Sequence, residues 1–130
     1  MACFFSRAGE EFTISLPDEV CRVAFLRDEA YATSGDYRIF FARDGVRYSH
    51  VLDPRTGRPV TNRVVSVSIR APDCTLADGL ATAVMVMGAE AGLALVERLD
   101  GVEGLVVVET PDGALQDHPS TGFRSEPPPR

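Results

Sequence analysis

Basic residues are in short supply: 13 Lys and Arg stand against 19 Asp and Glu, leaving a net charge of −6. That balance argues against a nucleic-acid partner, because phosphate binding draws on clustered Lys and Arg that displace counterions, and no basic stripe runs along this chain. Long apolar runs are missing too. The longest mainly apolar stretch, Leu76 to Met87, contains Asp78 and falls short of the roughly 20 residues a membrane-spanning helix needs. The N-terminus lacks a charged segment followed by an apolar run, the mark of a secretory signal. Cysteine is sparse and odd in number: Cys3, Cys21 and Cys74 have neither the pairing of a disulfide framework nor metal-ligand spacing, and are expected to be reduced and structural. Cys3 follows only Met1 and Ala2, too little for a lipoprotein signal. On these grounds the chain as written is expected to be cytoplasmic. Internal repeats are absent, and the only biased segment is the EPPPR tail, expected to fray.

What remains is ordinary globular material. With 130 residues, 45% hydrophobic and 25% charged, the chain has the size and composition of a single folded domain. Short β-prone runs lie at Phe12 to Leu16, closed by Pro17, and at Arg22 to Leu26. Two further runs, Tyr37 to Ala42 and Val46 to Leu52, flank Asp44-Gly45, a pair whose tolerance of positive φ predicts a tight hairpin. Asp53 to Pro59, DPRTGRP, is an ordered loop, since its prolines remove backbone donors and Gly57 permits a reversal. Val64 to Ile69 reads as a strand with one covered and one less buried face. Thr75 stands three residues before Asp78 in the manner of a capping box and opens a helix through LADGLATAVMVM that stops at Gly88. A second helix is expected over Ala89 to Leu99, then a strand from Leu105 to Val108 reversed by Pro111-Asp112-Gly113. Strands, a helical pair and strands again give an α+β class, an antiparallel sheet packed against two helices.

Three constellations carry chemistry. Asp78 and Thr82 are four residues apart, so a helix presents their hard oxygens on one face, with β-carbons about 6 Å apart. Magnesium takes few protein oxygens and completes its octahedron with water or phosphate, which suits the pair; by spacing alone, a helix-stabilising Asp78 and a packed Thr82 serve as well. His50 ends the strand that enters the DPRTG loop, where an imidazole titrating near neutral pH can accept a proton from a hydroxyl; a strand histidine is also commonly a surface residue. Thr33, Ser34 and Gly35 form a small hydroxyl-rich loop before the hairpin that can offer N–H groups to phosphate or simply turn. Arg55 and Arg58 receive no catalytic role, and His118 is expected to face solvent.

Taken in order, ATSGDYR, YSHVLDPRTGRPV and ADGLATAVMVMG resemble the C-terminal signature of the ApbE family, the FAD:protein FMN transferases, over roughly Ala30 to Glu109. The resemblance implies a C-terminal ApbE-like domain at 1–124, truncated on its N-terminal side, with a flexible tail at 125–130. It implies Mg2+ held by Asp78 and Thr82 and His50 acting on the nucleophile's proton. Thr33, Ser34 and Gly35 fall near the flavin nucleotide. FAD is the implied substrate, and the partner an acceptor flavoprotein carrying a target threonine. The family's opening M-G-T segment and much of its flavin pocket have no counterpart in the chain. The resemblance therefore implies half a site, completed by an N-terminal half or by self-association, and leaves a non-catalytic flavin- or nucleotide-binding remnant as the competing reading. Many family members act in the periplasm or on a membrane anchor.

Overall fold

A computed structural model describes residues 2–6, 10–16, 19–35 and 40–124, with the backbone alone for 2–6, 10–16, 19–25, 40–42, 46 and 47. In chain order the elements are β1 Ala2–Ser6, β2 Glu10–Leu16, β3 Glu19–Leu26, β4 Glu29–Gly35, β5 Phe40–Arg43, β6 Val46–Ser49, β7 Leu52–Asp53, β8 Arg58–Pro59, β9 Val64–Ala71, α1 Cys74–Met87, α2 Ala89–Val96, β10 Glu103–Glu109 and β11 Leu115–Pro119. Five strands form one sheet in the order β1-β4-β9-β10-β11, and the pairs β2-β3, β5-β6 and β7-β8 stand as separate two-stranded ladders. All pairings are antiparallel, and the sheet carries the two helices against it, the expected α+β arrangement.

β9 holds the centre of the sheet, paired with β4 on one side and β10 on the other. One less buried face was expected for it, yet every residue but Arg70 is buried, Ser66 at 2% and Ser68 at 1% exposed included. The reason is that both faces are covered. On one side Ala30, Ala32, Val67, Ile69 and Ala71 pack with Ala77, Ala81, Val84 and Met85 of α1 and Val96 of α2. On the other, Leu26, Tyr31, Val65, Leu105 and Val107 form a second cluster closed by Phe123. The serines survive in this interior because their hydroxyls find partners, as Ser68 Oγ does with Thr33 Oγ1 at 3.0 Å. Simple alternation also breaks within β9: Val107 pairs with Ser66 but Val108 with Val64, so Val65 is an extra residue that shifts the pattern between faces.

Helix α1 is capped two residues before the expected position. Asp73, in an extended conformation, accepts from Leu76 N at 2.8 Å, a conventional N-cap bond that satisfies one of the helix's orphan donors; Thr75 is an exposed first-turn residue. Gly88 ends the helix as expected, with φ 86° and its N–H on Val84 O at 3.0 Å. α2 stops at Val96 rather than Leu99, because Arg98 N and Leu99 N bond three residues back in tight turns.

The hairpin at Asp44-Gly45 forms with φ of 53° and 76°, although β5 begins at Phe40 and Tyr37 to Ile39 lie outside the described residues. Thr33, Ser34 and Gly35, expected as a loop, are the last residues of β4. DPRTGRP is the expected turn, but it also closes a two-residue ladder with Pro59 opposite Leu52. His118, expected in solvent, is half-buried on β11. Cys74 is half-buried against the helix-side core; the side chains of Cys3 and Cys21 and the tail at 125–130 lie outside the described residues. Among the described residues no helix is long and apolar enough to cross a membrane.

Candidate active site

Strand β4 and helix α1 bring two of the expected groups together. Ser34 Oγ lies 3.4 Å from Thr82 Oγ1, and Ser34 is only 6% exposed. Side chains alternate across a strand, so neighbouring Thr33 points the other way, to Ser68, beside the Tyr31 cluster rather than the helix. Gly35 stands at the end of β4 opposite Ser66. The ATSG segment thus sends one hydroxyl to each layer of the domain.

Asp78, one turn before Thr82, is half-buried, and its Oδ1 is a buried oxygen with no hydrogen-bond partner among the described residues. An acceptor held away from water without a donor costs free energy, and a site that a ligand completes is one place where such an oxygen persists. Among the described residues no three His, Cys, Asp or Glu side chains gather around a common point. A cation here would therefore rest on one carboxylate with hydroxyl, carbonyl, water or substrate oxygens, a donor set that fits magnesium and not zinc.

His50 is exposed, just beyond the end of β6. Its predecessor Ser49 is buried and accepts from Val51 N at 3.0 Å, which fixes the backbone on both sides of the imidazole. The loop that follows is ordered from within. Thr56 N and Gly57 N both reach Asp53 O, at 3.1 and 2.8 Å, and Val60 N returns to Val51 O at 3.0 Å. Arg55 grips the Asp53 carboxylate through Nε at 3.0 Å and Nη2 at 2.7 Å, with its own N–H at 2.9 Å. Those Arg55 bonds hold the Asp53 carboxyl below the usual carboxylate range and raise the guanidinium in turn. Arg55 is thus a brace of the loop.

Asn62 drew no attention in the sequence. Its Nδ2 donates to Met85 O at 2.9 Å and Val86 O at 3.3 Å, and its Oδ1 accepts from Val64 N at 3.2 Å. The available signal was an asparagine two residues before a β-branched run, where Asx turns form. Its reach to a helix 23 residues later was not readable from local pattern.

A model described as the ApbE family matches residues 7–106. The chain is 53% identical over 97 residues to the FAD:protein FMN transferase of Vibrio cholerae, covering 75% of this chain and 28% of that protein. It is 51% identical over 85 residues to the protein of the same name from Treponema pallidum, covering 65% and 24%. Among solved structures, apo Pseudomonas stutzeri flavinyl transferase ApbE superposes with a TM-score of 0.74 at 38% identity, over 88% of this chain and 36% of that one. The Vibrio cholerae flavin transferase ApbE gives 0.70 at 45%, over 88% and 37%. The chain spans between about a quarter and somewhat over a third of the length of these proteins.

Proposed function

The chain belongs to the ApbE family, and from that premise we propose that it forms the C-terminal, metal-binding and catalytic part of a magnesium-dependent FAD:protein FMN transferase, with residues 1–124 as that part and 125–130 as a tail. The reaction is attack of a protein threonine hydroxyl on the FMN phosphorus of FAD, forming the phosphoester, breaking the pyrophosphate bond and releasing AMP and a proton. The observation that supports it best is the buried Asp78 Oδ1, unpartnered among the described residues, one helical turn from the Thr82–Ser34 contact.

Asp78 and Thr82 would hold the magnesium, which supplies charge neutralisation at the pyrophosphate. Ser34, buried against Thr82, keeps that hydroxyl oriented and, with the backbone of Thr33 and Gly35 at the same strand end, borders the nucleotide phosphates. His50, exposed at the edge of a braced loop, takes the proton from the incoming threonine. Phosphoryl transfer asks mainly for alignment and charge from the protein, which a two-layer scaffold of paired strands and packed helix provides.

The test places residues 26–124 into the Vibrio cholerae relative in exchange for the matching region and follows covalent flavin fluorescence on an acceptor protein in denaturing gels. The graft is expected to transfer flavin. His50→Ala should slow transfer by ~10²–10⁴-fold, the usual contribution of a general base, with FAD affinity little changed. In calorimetric titration with FAD present, Asp78→Ala should weaken magnesium binding more than Thr82→Ala. Parent-like rates in the histidine variant, or unchanged affinity in Asp78→Ala, would remove the respective assignment.

A further inference from the structure

The last carbonyls of a helix have no intrahelical donor. In α1 the Val84 carbonyl is satisfied by Gly88 N at 3.0 Å, and those of Met85 and Val86 by the Asn62 amide. The same amide receives Val64 N at the first residue of β9. One side chain therefore joins three things: the end of the helix that carries Asp78 and Thr82, the start of the central strand, and the backbone that returns from the DPRTG loop. That loop is rigid within itself and closed on Val51, the residue after His50, by the Val60 N–H. The loop is also held beside its ends, at Arg63 O by Glu109 N at 2.9 Å and at Val51 by packing on the core, but Asn62 is the strut that ties it to the end of α1, so its loss shifts the loop relative to that helix.

We propose that Asn62 is a positioning residue that sets the His50 loop against α1, so that the imidazole and the Asp78–Thr82 pair act on one substrate. This rests on the function proposed above. Asn62 touches neither substrate nor metal in this scheme; it acts through the placement of His50. Misplacement of a reacting group by about 1 Å can cost ~10²-fold in rate without loss of binding.

Asn62→Leu removes both donations at nearly constant volume, and Asn62→Asp keeps the Val64 bond while turning an oxygen toward the two carbonyls. In the Vibrio cholerae graft both variants are expected to lower kcat at least about 10-fold, with KM for FAD and magnesium affinity within about 2-fold of the parent. In the chain itself, amide hydrogen exchange should accelerate across 53–61 and at the last turn of α1 but not at residues 77–82. A merely structural role predicts a uniform rise in exchange and a loss of binding alongside rate. A parent-like kcat with accelerated loop exchange would overturn the proposal, as would unaltered loop exchange. A graft that transfers no flavin even with Asn62 intact would instead sink the functional reading, and the exchange pattern would then decide on the strut alone.

Discussion

At the scale of single residues, Tyr31 shows how the buried side of the sheet is maintained. It is 0% exposed; burial raises its hydroxyl's pKa well above the ordinary tyrosine range, while the neighbouring Ser68 hydroxyl and the charge of Arg70 pull the other way and lose. Arg70 is itself held by Glu29 at 2.6 Å. Because the folded pKa is the higher one, the stability due to the neutral phenol is fully present below about pH 10, where an unfolded tyrosine ionises, and is lost as pH climbs toward the folded value. Tyr31→Phe removes this ionisation and keeps the ring in its cluster. It should show a shallower decline in the urea midpoint than the parent between pH 9 and 11. Parallel declines would mean that Tyr31 does not report the alkaline limit of this fold.

At the scale of elements, two glycines of the helical pair make opposite demands. A β-carbon at Gly92 would sit 2.5 Å from Val84 Cγ1 and 3.3 Å from Val84 Cα, whereas at Gly79 it would meet nothing within 4 Å. Val84 is β-branched and fully buried, so it cannot swing aside without shifting α1. Overpacking of this kind costs about 1–3 kcal/mol and outweighs the roughly 1 kcal/mol that alanine gains over glycine in a helix. Gly92→Ala should be destabilised by about 1–2 kcal/mol, and Gly79→Ala stabilised by about 0.5–1 kcal/mol. Chemical denaturation of the two variants reads the contrast, and equal signs would contradict the packing described between α1 and α2.

Elements were also where sequence patterns had most to say. Asp44-Gly45 and Gly88 announced themselves because their backbone conformations admit few residue types. Asp78 and Thr82 were readable because helical spacing is a local rule. What escaped was set by partners distant in the chain. Thr33 to Gly35 resemble a loop because TSG is turn-prone in isolation, yet Ser66 to Ser68 across the ladder hold the segment extended. Thr75 resembled a cap, but the extended Asp73 reached the helix N–H first. The approach of Ser34 to Thr82, 48 residues apart, and of Asn62 to Met85 belongs to the tertiary fold and leaves no periodicity behind.

At the scale of the whole molecule, a sheet whose central strand is buried on both faces leaves the candidate site on one layer. The share of relatives spanned, 28% in one case, and the need of a dinucleotide for a cleft that buries most of its surface lead to a further expectation. The chain alone should bind FAD weakly and transfer almost none, since a metal site open to water has weak hold on a pyrophosphate. Adding the remaining part of the Vibrio cholerae relative as a separate polypeptide, with magnesium and an acceptor protein, should restore covalent flavin fluorescence. Robust transfer by the chain alone would mean that it builds a complete cleft by itself, for instance through a second copy.

The seam between β4 and α1 is made of Ala30, Ala32, Ala77 and Ala81, all at 0% exposed. Alanine has no side-chain torsion to adjust, so this seam works as a fixed shim: the gap between strand and helix is gauged by four methyl groups and the backbones beneath them. The gap that sets Ser34 beside Thr82 inherits that stiffness. A protein built this way is able to vary its loops and surface freely, while the separation of the two backbones that carry these hydroxyls remains a dimension that no rotamer change in the seam can retune.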